Sequence, residues 1–266
     1  MNILLLSLSV LPVILLMAFI YQQDKYEKEP VKTLAKAFVG GMISIILDML
    51  IVSLINHVFY SESVFYLAFW EAGIPEELSK FLIFMILIWR NKDFDEYMDG
   101  IVYASFIGLG FACVENIMYV FSAASESFGS GIGTSIVRAL LSVPAHFLFG
   151  VVMGYFLSLA KFKPEKRGTY LVTGLLLAML AHGLFDWLLM ASDIVSPVIG
   201  GILYAIFLAG DIALWKIGMK YIRRQQLNSR QQSQEAALNN MEKQIHSELN
   251  YNPEYKQIDW NAGDRQ

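Results

Sequence analysis

The chain is almost without cysteine. Cys113 stands alone among 266 residues, which excludes a disulfide framework and a cysteine-based zinc site. Charge is also scarce: Asp, Glu, Lys and Arg make up 17%, where a soluble domain carries about 25%. Apolar residues reach 56%. One water-soluble core of this length cannot absorb that much apolar surface and still keep a polar skin, so a soluble enzyme or a disordered chain is disfavoured. The net charge of −4 speaks against a nucleic-acid partner. Strand-period alternation is not sustained anywhere. What remains is a polytopic membrane protein.

Seven apolar stretches are long enough to cross a bilayer, which takes about 20 residues: 2–21, 33–58, 64–89, 100–121, 134–160, 169–190 and 198–217. Bare backbone finds no water in lipid, so these are helices and the fold class is an all-α transmembrane bundle. The loops 59–63, 122–133 and 191–197 contain no Lys or Arg. The alternate side carries Lys25, Lys28, Lys32 and Lys36, then Arg90 and Lys92, then Lys161, Lys163, Lys166 and Arg167, and finally Lys216, Lys220, Arg223 and Arg224. The excess of positive charge places that side in the cytoplasm, with the N-terminus outside. Span one lacks a basic leader and a small-residue cleavage site, so it reads as an uncleaved anchor. After Arg224 the composition turns polar. This divides the chain into a membrane domain, 1–224, and a cytoplasmic tail, 225–266, expected to be partly disordered with a solvated helix over 236–249.

Ionisable groups inside these spans are costly, at about 2.5–3.5 kcal/mol each near a helix centre. The chain nevertheless places Asp48, Glu71, Glu76, Glu77, Lys80, Glu115, Arg138, His146, His182, Asp186 and Asp211 there. Such groups must pair or face a wet cavity. Glu76 and Glu77, Glu115 and Asn116, His146, and His182 with Asp186 come from four different spans at similar depth, from mid-membrane toward the outer face. We therefore expect one shared polar site.

In the run from Glu71 to Lys80, Gly73 weakens the helix and Pro75 removes an N–H. The expectation is a helix restarting at Pro75, with Glu76 and Glu77 in a first turn favoured by the helix dipole. The two carboxylates are about 100° apart around the axis, so one can face a cavity while the other accepts a bond. Lys80 lies within ion-pair reach of both. His182 and Asp186 share a helix face, and so do Phe111 and Glu115. A carboxylate beside an imidazole in a half-dry site can activate water, and a neutral imidazole or amide can stabilise an oxyanion.

At these residues the sequence resembles the PrsW family of bacterial intramembrane proteases, which resembles in turn the CAAX-protease and bacteriocin-processing superfamily. The matching features are Glu76-Glu77-x-x-Lys80, Phe111-x-x-x-Glu115-Asn116 and His182-x-x-x-Asp186. Tyr26 to Pro30 after span one and Phe94 to Tyr103 entering span four also match, so the likeness covers about 25–187. It implies an endopeptidase of the bacterial cell membrane that makes the first cut in a membrane-anchored regulatory protein, anti-sigma factors being the best-known type. It implicates Glu76, Glu77 and His182 as catalytic residues with Glu115 beside them, and Lys80, Asn116, His146 and Asp186 in support. The superfamily is treated as glutamate-type, and the family has also been labelled a metalloprotease. No cofactor is certain: Glu76, Glu115, His146 and His182 could ligate a divalent metal such as zinc, but no HExxH is present.

Blander readings stand beside these: a structural ion pair of Glu76 or Glu77 with Lys80, helix–helix bonding by Glu115 and Asn116, a packing role for His146, an orienting pair of His182 and Asp186, and a snorkelling Arg138. Asp48 and Asp211 read as bonded to a neighbour or to a wet pocket, and the acidic run 93–99 as a solvated cap. Two other function classes compete. A proton- or ion-coupled transporter also needs buried acids and imidazoles, but only span three carries a Gly/Pro break where such transporters pair two. A non-catalytic membrane scaffold gives no reason for the buried charge.

Overall fold

The computed structural model describes residues 2–251, and among these the secondary structure is helical throughout. The helices are α1 (Ile3–Gln23), α2 (Val31–Val58), α3 (Val64–Tyr66), a π-helical segment (Leu67–Gly73), α4 (Ile74–Leu87), α5 (Asp99–Glu126), α6 (Phe128–Leu140), α7 (Ser142–Phe162), α8 (Arg167–Ile194) and α9 (Pro197–Tyr251). Six helical stretches are long and apolar enough to cross a membrane: α1, α2, α5, the α6–α7 run, α8 and α9. The expected third span is there too, but α3, the π segment and α4 divide it, so no single piece reaches spanning length.

Helices α5 and α7 form the centre. From Asp99 to Cys113 every residue of α5 is buried, and from Val143 to Val152 every residue of α7 is buried. Small residues permit this contact. A Cβ on Gly108 would stand 2.8 Å from the His146 carbonyl oxygen, and one on Gly150 would stand 2.8 Å from that of Ala104. α1, α2, α4, α8 and α9 surround this pair, and their outward faces carry exposed Ile, Leu, Val and Met suited to lipid.

Span three does not restart at Pro75 from a free end. Gly73 has helical dihedrals, and the Ile74 N–H reaches back five residues to the Phe69 carbonyl. The extra residue is taken up as a π turn, which bulges the helix without ending it. Glu76 and Glu77 thus lie in a continuing helix, where no open N-terminus faces them.

The end of the bundle that carries the basic loops is more structured than its composition suggests. α9 runs past Arg224 without a break to Tyr251, so the expected change to partial disorder after 224 is not seen in 225–251. The expected helix over 236–249 is the end of α9, and residues 252–266 lie outside the described residues. Polar side chains hold the first part of this extension. Gln225 Nε2 donates to the Tyr155 carbonyl at 3.0 Å, Gln226 Nε2 to that of Gln23 at 2.6 Å, and the Met98 N–H donates to Ser229 Oγ at 2.9 Å.

The acidic run 93–99 is not a solvated cap. Glu96 and Asp99 are buried, together with Asp24 and Glu29 from the α1–α2 connection. Asp24 faces Glu96 and Glu29 faces Asp99 within hydrogen-bond range. Neither oxygen of Asp24 has a donor, and the nearby Lys28 ammonium donates to the Asp24 backbone carbonyl. Tyr103 donates its hydroxyl to Glu29. The acids are buried because two connections and α9 fold over them.

Candidate active site

The π turn brings α4 against α8. A Cβ on Gly73 would stand 2.7 Å from the Gly183 nitrogen, so the two backbones touch beside His182. Glu77 and His182, 1% and 3% exposed, therefore meet: Glu77 Oε1 lies 3.0 Å from His182 Nδ1. Its other oxygen, Oε2, is buried with no partner. Asp186, one turn along α8, holds the far side of the ring, with Oδ2 3.3 Å from Nε2. Both imidazole nitrogens thus face carboxylates, an arrangement that satisfies an imidazolium. Phe149 stacks on the ring with centroids 4.7 Å apart.

Lys80 is the cation at the centre. Its Nζ donates to Glu77 Oε1 at 2.8 Å and to Glu76 Oε2 at 3.1 Å, and lies 3.1 Å from His146 Nδ1. An ammonium only donates, so His146 Nδ1 accepts and the ring's proton is on Nε2. That nitrogen lies 2.8 Å from Glu115 Oε2. Glu115 is paired in turn with Arg138 at 2.9 Å. Phe111, one turn before Glu115, puts its ring 4.0 Å below the Lys80 ammonium. Beyond its bond to Lys80, Glu76 Oε2 has only longer approaches, with His182 Nδ1 at 3.9 Å and His146 Nδ1 at 4.0 Å. A chain of alternating charge thus runs from Asp186 through His182, Glu77, Lys80 and His146 to Glu115 and Arg138. Pairing of this kind is what permits charge to stay buried.

Most residues singled out in the sequence converge here, but two are placed differently from expectation. Asn116 does not face the site. Its Nδ2 donates to the Ser9 carbonyl of α1 at 2.7 Å and its Oδ1 accepts from Arg138 Nε at 2.9 Å. Its place one residue past Glu115 turns it about 100° away, so it offers nothing to an oxyanion in the site. Arg138 does not snorkel outward: it lies in the last turn of α6, and its guanidinium pairs with Glu115. Asp48, given no role from sequence, lies on α2 within Coulombic range of Lys80, Glu115, His182 and Glu77. Its Oδ1 is buried and has no partner. The one sequence signal for Arg138 and Asp48 was their charge within a span.

A family model for the PrsW family intramembrane metalloprotease matches residues 29–211. A protein named Protease PrsW from Clostridioides difficile (strain 630) is 37% identical over 82% of this chain and 89% of its own length. Proteins of the same name from Geobacillus kaustophilus (strain HTA426) and Bacillus subtilis (strain 168) are 36% and 35% identical, over 71% and 70% of this chain and 81% and 83% of their own lengths. The chain belongs to the PrsW family. It is by that membership a membrane-embedded peptidase. No solved structure matches it.

The PrsW family is described as a metalloprotease family, so the donor set can be tested for a metal. Glu76, Glu77, His146 and His182 are all buried, and each offers one ligand atom within 4.8 Å of the others. Two imidazole nitrogens with two carboxylate oxygens suit a zinc-like ion, and the orphaned Glu77 Oε2 is a further acceptor awaiting a cation. This PrsW donor set fits a divalent metal. Glu115, expected among the ligands, is not in the close group and reaches it only through His146. The Lys80 ammonium, bonded to three of the four, is the cation that neutralises them here.

Proposed function

We propose that this PrsW-family protein is an endopeptidase that hydrolyses one peptide bond of a membrane-anchored regulatory protein, an anti-sigma factor being the first candidate. It works within the bacterial cell membrane, with its N-terminus outside and its C-terminus in the cytoplasm. The observation that carries this reading is the contact of Glu76 and Glu77 with His182 and His146 inside the bundle.

Glu76 is placed to act as general base. It has the freer carboxylate of the two glutamates, and both imidazoles stand about 4 Å away, so a water bound to that carboxylate lies beside them. It takes a proton from that water as the oxygen attacks the scissile carbonyl, and returns it to the departing amine. His182, held as an imidazolium between Glu77 and Asp186, stabilises the oxyanion by its charge. Glu77 and Asp186 keep the imidazole oriented, and Lys80 holds both glutamates. His146 and Glu115 support the opposite side. Glu76, Glu77, His146 and His182 are also the residues that would hold a divalent metal, which when bound supplies Lewis-acid polarisation of water and carbonyl.

The test is reconstitution of purified protein with candidate single-span membrane proteins, comparing wild type with Glu76→Gln, Glu77→Gln and His182→Ala, each with and without a chelator. The reading expects one defined cut by wild type and none by the variants, all of them inserted normally. Normal cleavage by all three variants contradicts it. Loss of cleavage on chelation, with recovery on adding zinc, assigns the metal.

A further inference from the structure

Among the described ionisable groups inside the membrane, Glu71 lies outside the site and accepts from Asn56, and Asp211 lies outside it with no such partner. Asp211 lies on α9, in a stretch whose surroundings are Ile206, Leu208 and Ile212, all exposed toward lipid. Its Oδ1 is buried and has no hydrogen-bond partner among the described residues. A carboxyl group at membrane depth is costly unless something donates to it.

Asp211 is among the residues that line a groove between α8 and α9, of about 240 Å³. Ala181, Phe185 and Leu188 form the α8 wall, and Phe207, Gly210 and Leu214 the α9 wall. A Cβ on Gly210 would meet nothing within 4 Å, so another helix can approach α9 closely at the turn that carries Asp211. The groove is also joined to the site. Phe207 packs on Phe185 with centroids 4.8 Å apart, Phe185 on Phe149 at 6.0 Å, and Phe149 on the His182 ring at 4.7 Å. The α8 wall residues Ala181 and Phe185 bracket His182 in sequence. A helix seated in the groove thus touches a chain of phenylalanine rings that ends on the imidazole.

We infer that the α8–α9 groove receives the transmembrane helix of the substrate, with Asp211 accepting a hydrogen bond from a polar or basic side chain near that helix's midpoint. A lipid tail fills an apolar groove equally well but carries no donor for Asp211. The exposed face of α2, with Ile43, Ile46, Leu50 and Leu54, shows what a purely lipid-facing surface looks like in this chain. The inference rests on the proposed substrate class, a membrane-anchored protein, and specifies where that protein docks.

The test uses the full chain in phospholipid nanodiscs, with a photo-crosslinking phenylalanine analogue placed at Ile206 on the groove rim or at Ile46 on α2. Two synthetic single-span helices of about 20 apolar residues serve as probes, one with a central Lys and one with Leu in its place. Crosslinking of the Lys probe at Ile206 should exceed that at Ile46, and should exceed that of the Leu probe by about fivefold, the scale of one interhelical hydrogen bond in lipid. Asp211→Leu should reduce it to the level of the Leu probe, and Asp211→Asn should retain part of it. Equal labelling at Ile206 and Ile46, indifference to Asp211→Leu, or crosslinks between two copies of the chain in place of probe would each overturn the inference. Binding is read without cleavage, so loss of peptidase activity toward membrane-anchored proteins counts against the proposed function, and loss of crosslinking with cleavage intact counts against the groove.

Discussion

Gly73 and Gly183 touch: a Cβ on the first would stand 2.7 Å from the backbone nitrogen of the second. The contact lies three residues before Glu76 and one after His182, so it sets the distance between the glutamate pair and the imidazole. The π turn that ends at Gly73 is what allows α4 to lean on α8. A side chain at Gly73 has to push the backbone of Gly183, and one at Gly183 meets the Phe69 ring.

Gly73→Val should therefore cost about 1–3 kcal/mol by overpacking and remove most cleavage by separating Glu77 from His182. Thermal unfolding in detergent reads the first effect, and cleavage per inserted molecule reads the second. Unchanged activity would mean that the helix contact does not set the site.

Lys80 neutralises two buried carboxylates at once. Lys80→Met leaves both uncompensated, and breaking a buried pair from one side costs about 3–5 kcal/mol. The melting temperature should fall sharply, and Lys80→Met combined with Glu77→Gln should recover part of the loss. A double variant no more stable than Lys80→Met alone would show that Glu77 does not depend on Lys80 for its charge.

Arg138 and Glu115 form the outer end of the charge chain. Alanine at each, singly and together, should show a coupling energy within the range of about 0.5–3 kcal/mol found for directly contacting residues. Additive losses would place Arg138 with lipid headgroups, where the sequence alone had put it.

The acidic junction beside α9 predicts a pH dependence of stability. Burial, reinforced by the neighbouring Asp99 charge, pushes Glu96 up from its ordinary 4.5 to about 8. Burial also pushes Asp24 up from 3.8 to about 6, partly offset by the nearby Lys28 charge. A carboxyl group whose folded pKa is raised binds its proton more tightly in the folded state. Its contribution to stability is full below the unfolded pKa and is lost as pH rises through the folded one. The melting temperature should thus fall from about pH 4.5 to about pH 8, and Glu96→Gln should flatten the fall. A rise over that interval would contradict the buried arrangement of these acids.

How much of this was legible in the sequence follows from what each signal reports. Apolar length and Lys/Arg placement gave the spans, because lipid leaves backbone no alternative to helix. The cost of Glu76, Glu77, His146 and His182 in lipid pointed to their meeting in one place, because groups that expensive must find one another. The direction of Asn116 was not legible, since it depends on how α5 is rotated against α1, and a residue beside Glu115 could face either way. Arg138 was misjudged because its partner, Glu115, lies on another helix, and the packing of α6 against α5 decides whether the two meet. The continuous α9 was missed because Gln225, Gln226 and Ser229 read as solvated, whereas their hydrogen bonds go to backbone groups of Tyr155, Gln23 and Met98.

The central claim is that Glu76, Glu77 and His182 act as one unit on one water. Residues that act as a unit are non-additive, so removing all of them costs little more than removing one. The most direct measurement is the single-turnover cleavage rate of a reconstituted membrane-anchored substrate by Glu76→Gln, Glu77→Gln, His182→Ala and the triple variant. Each single variant should lose at least about a thousandfold and the triple variant no more than a few-fold beyond that. Modest single losses that multiply in the triple variant, or a triple variant that still cuts at the normal rate, would contradict the account.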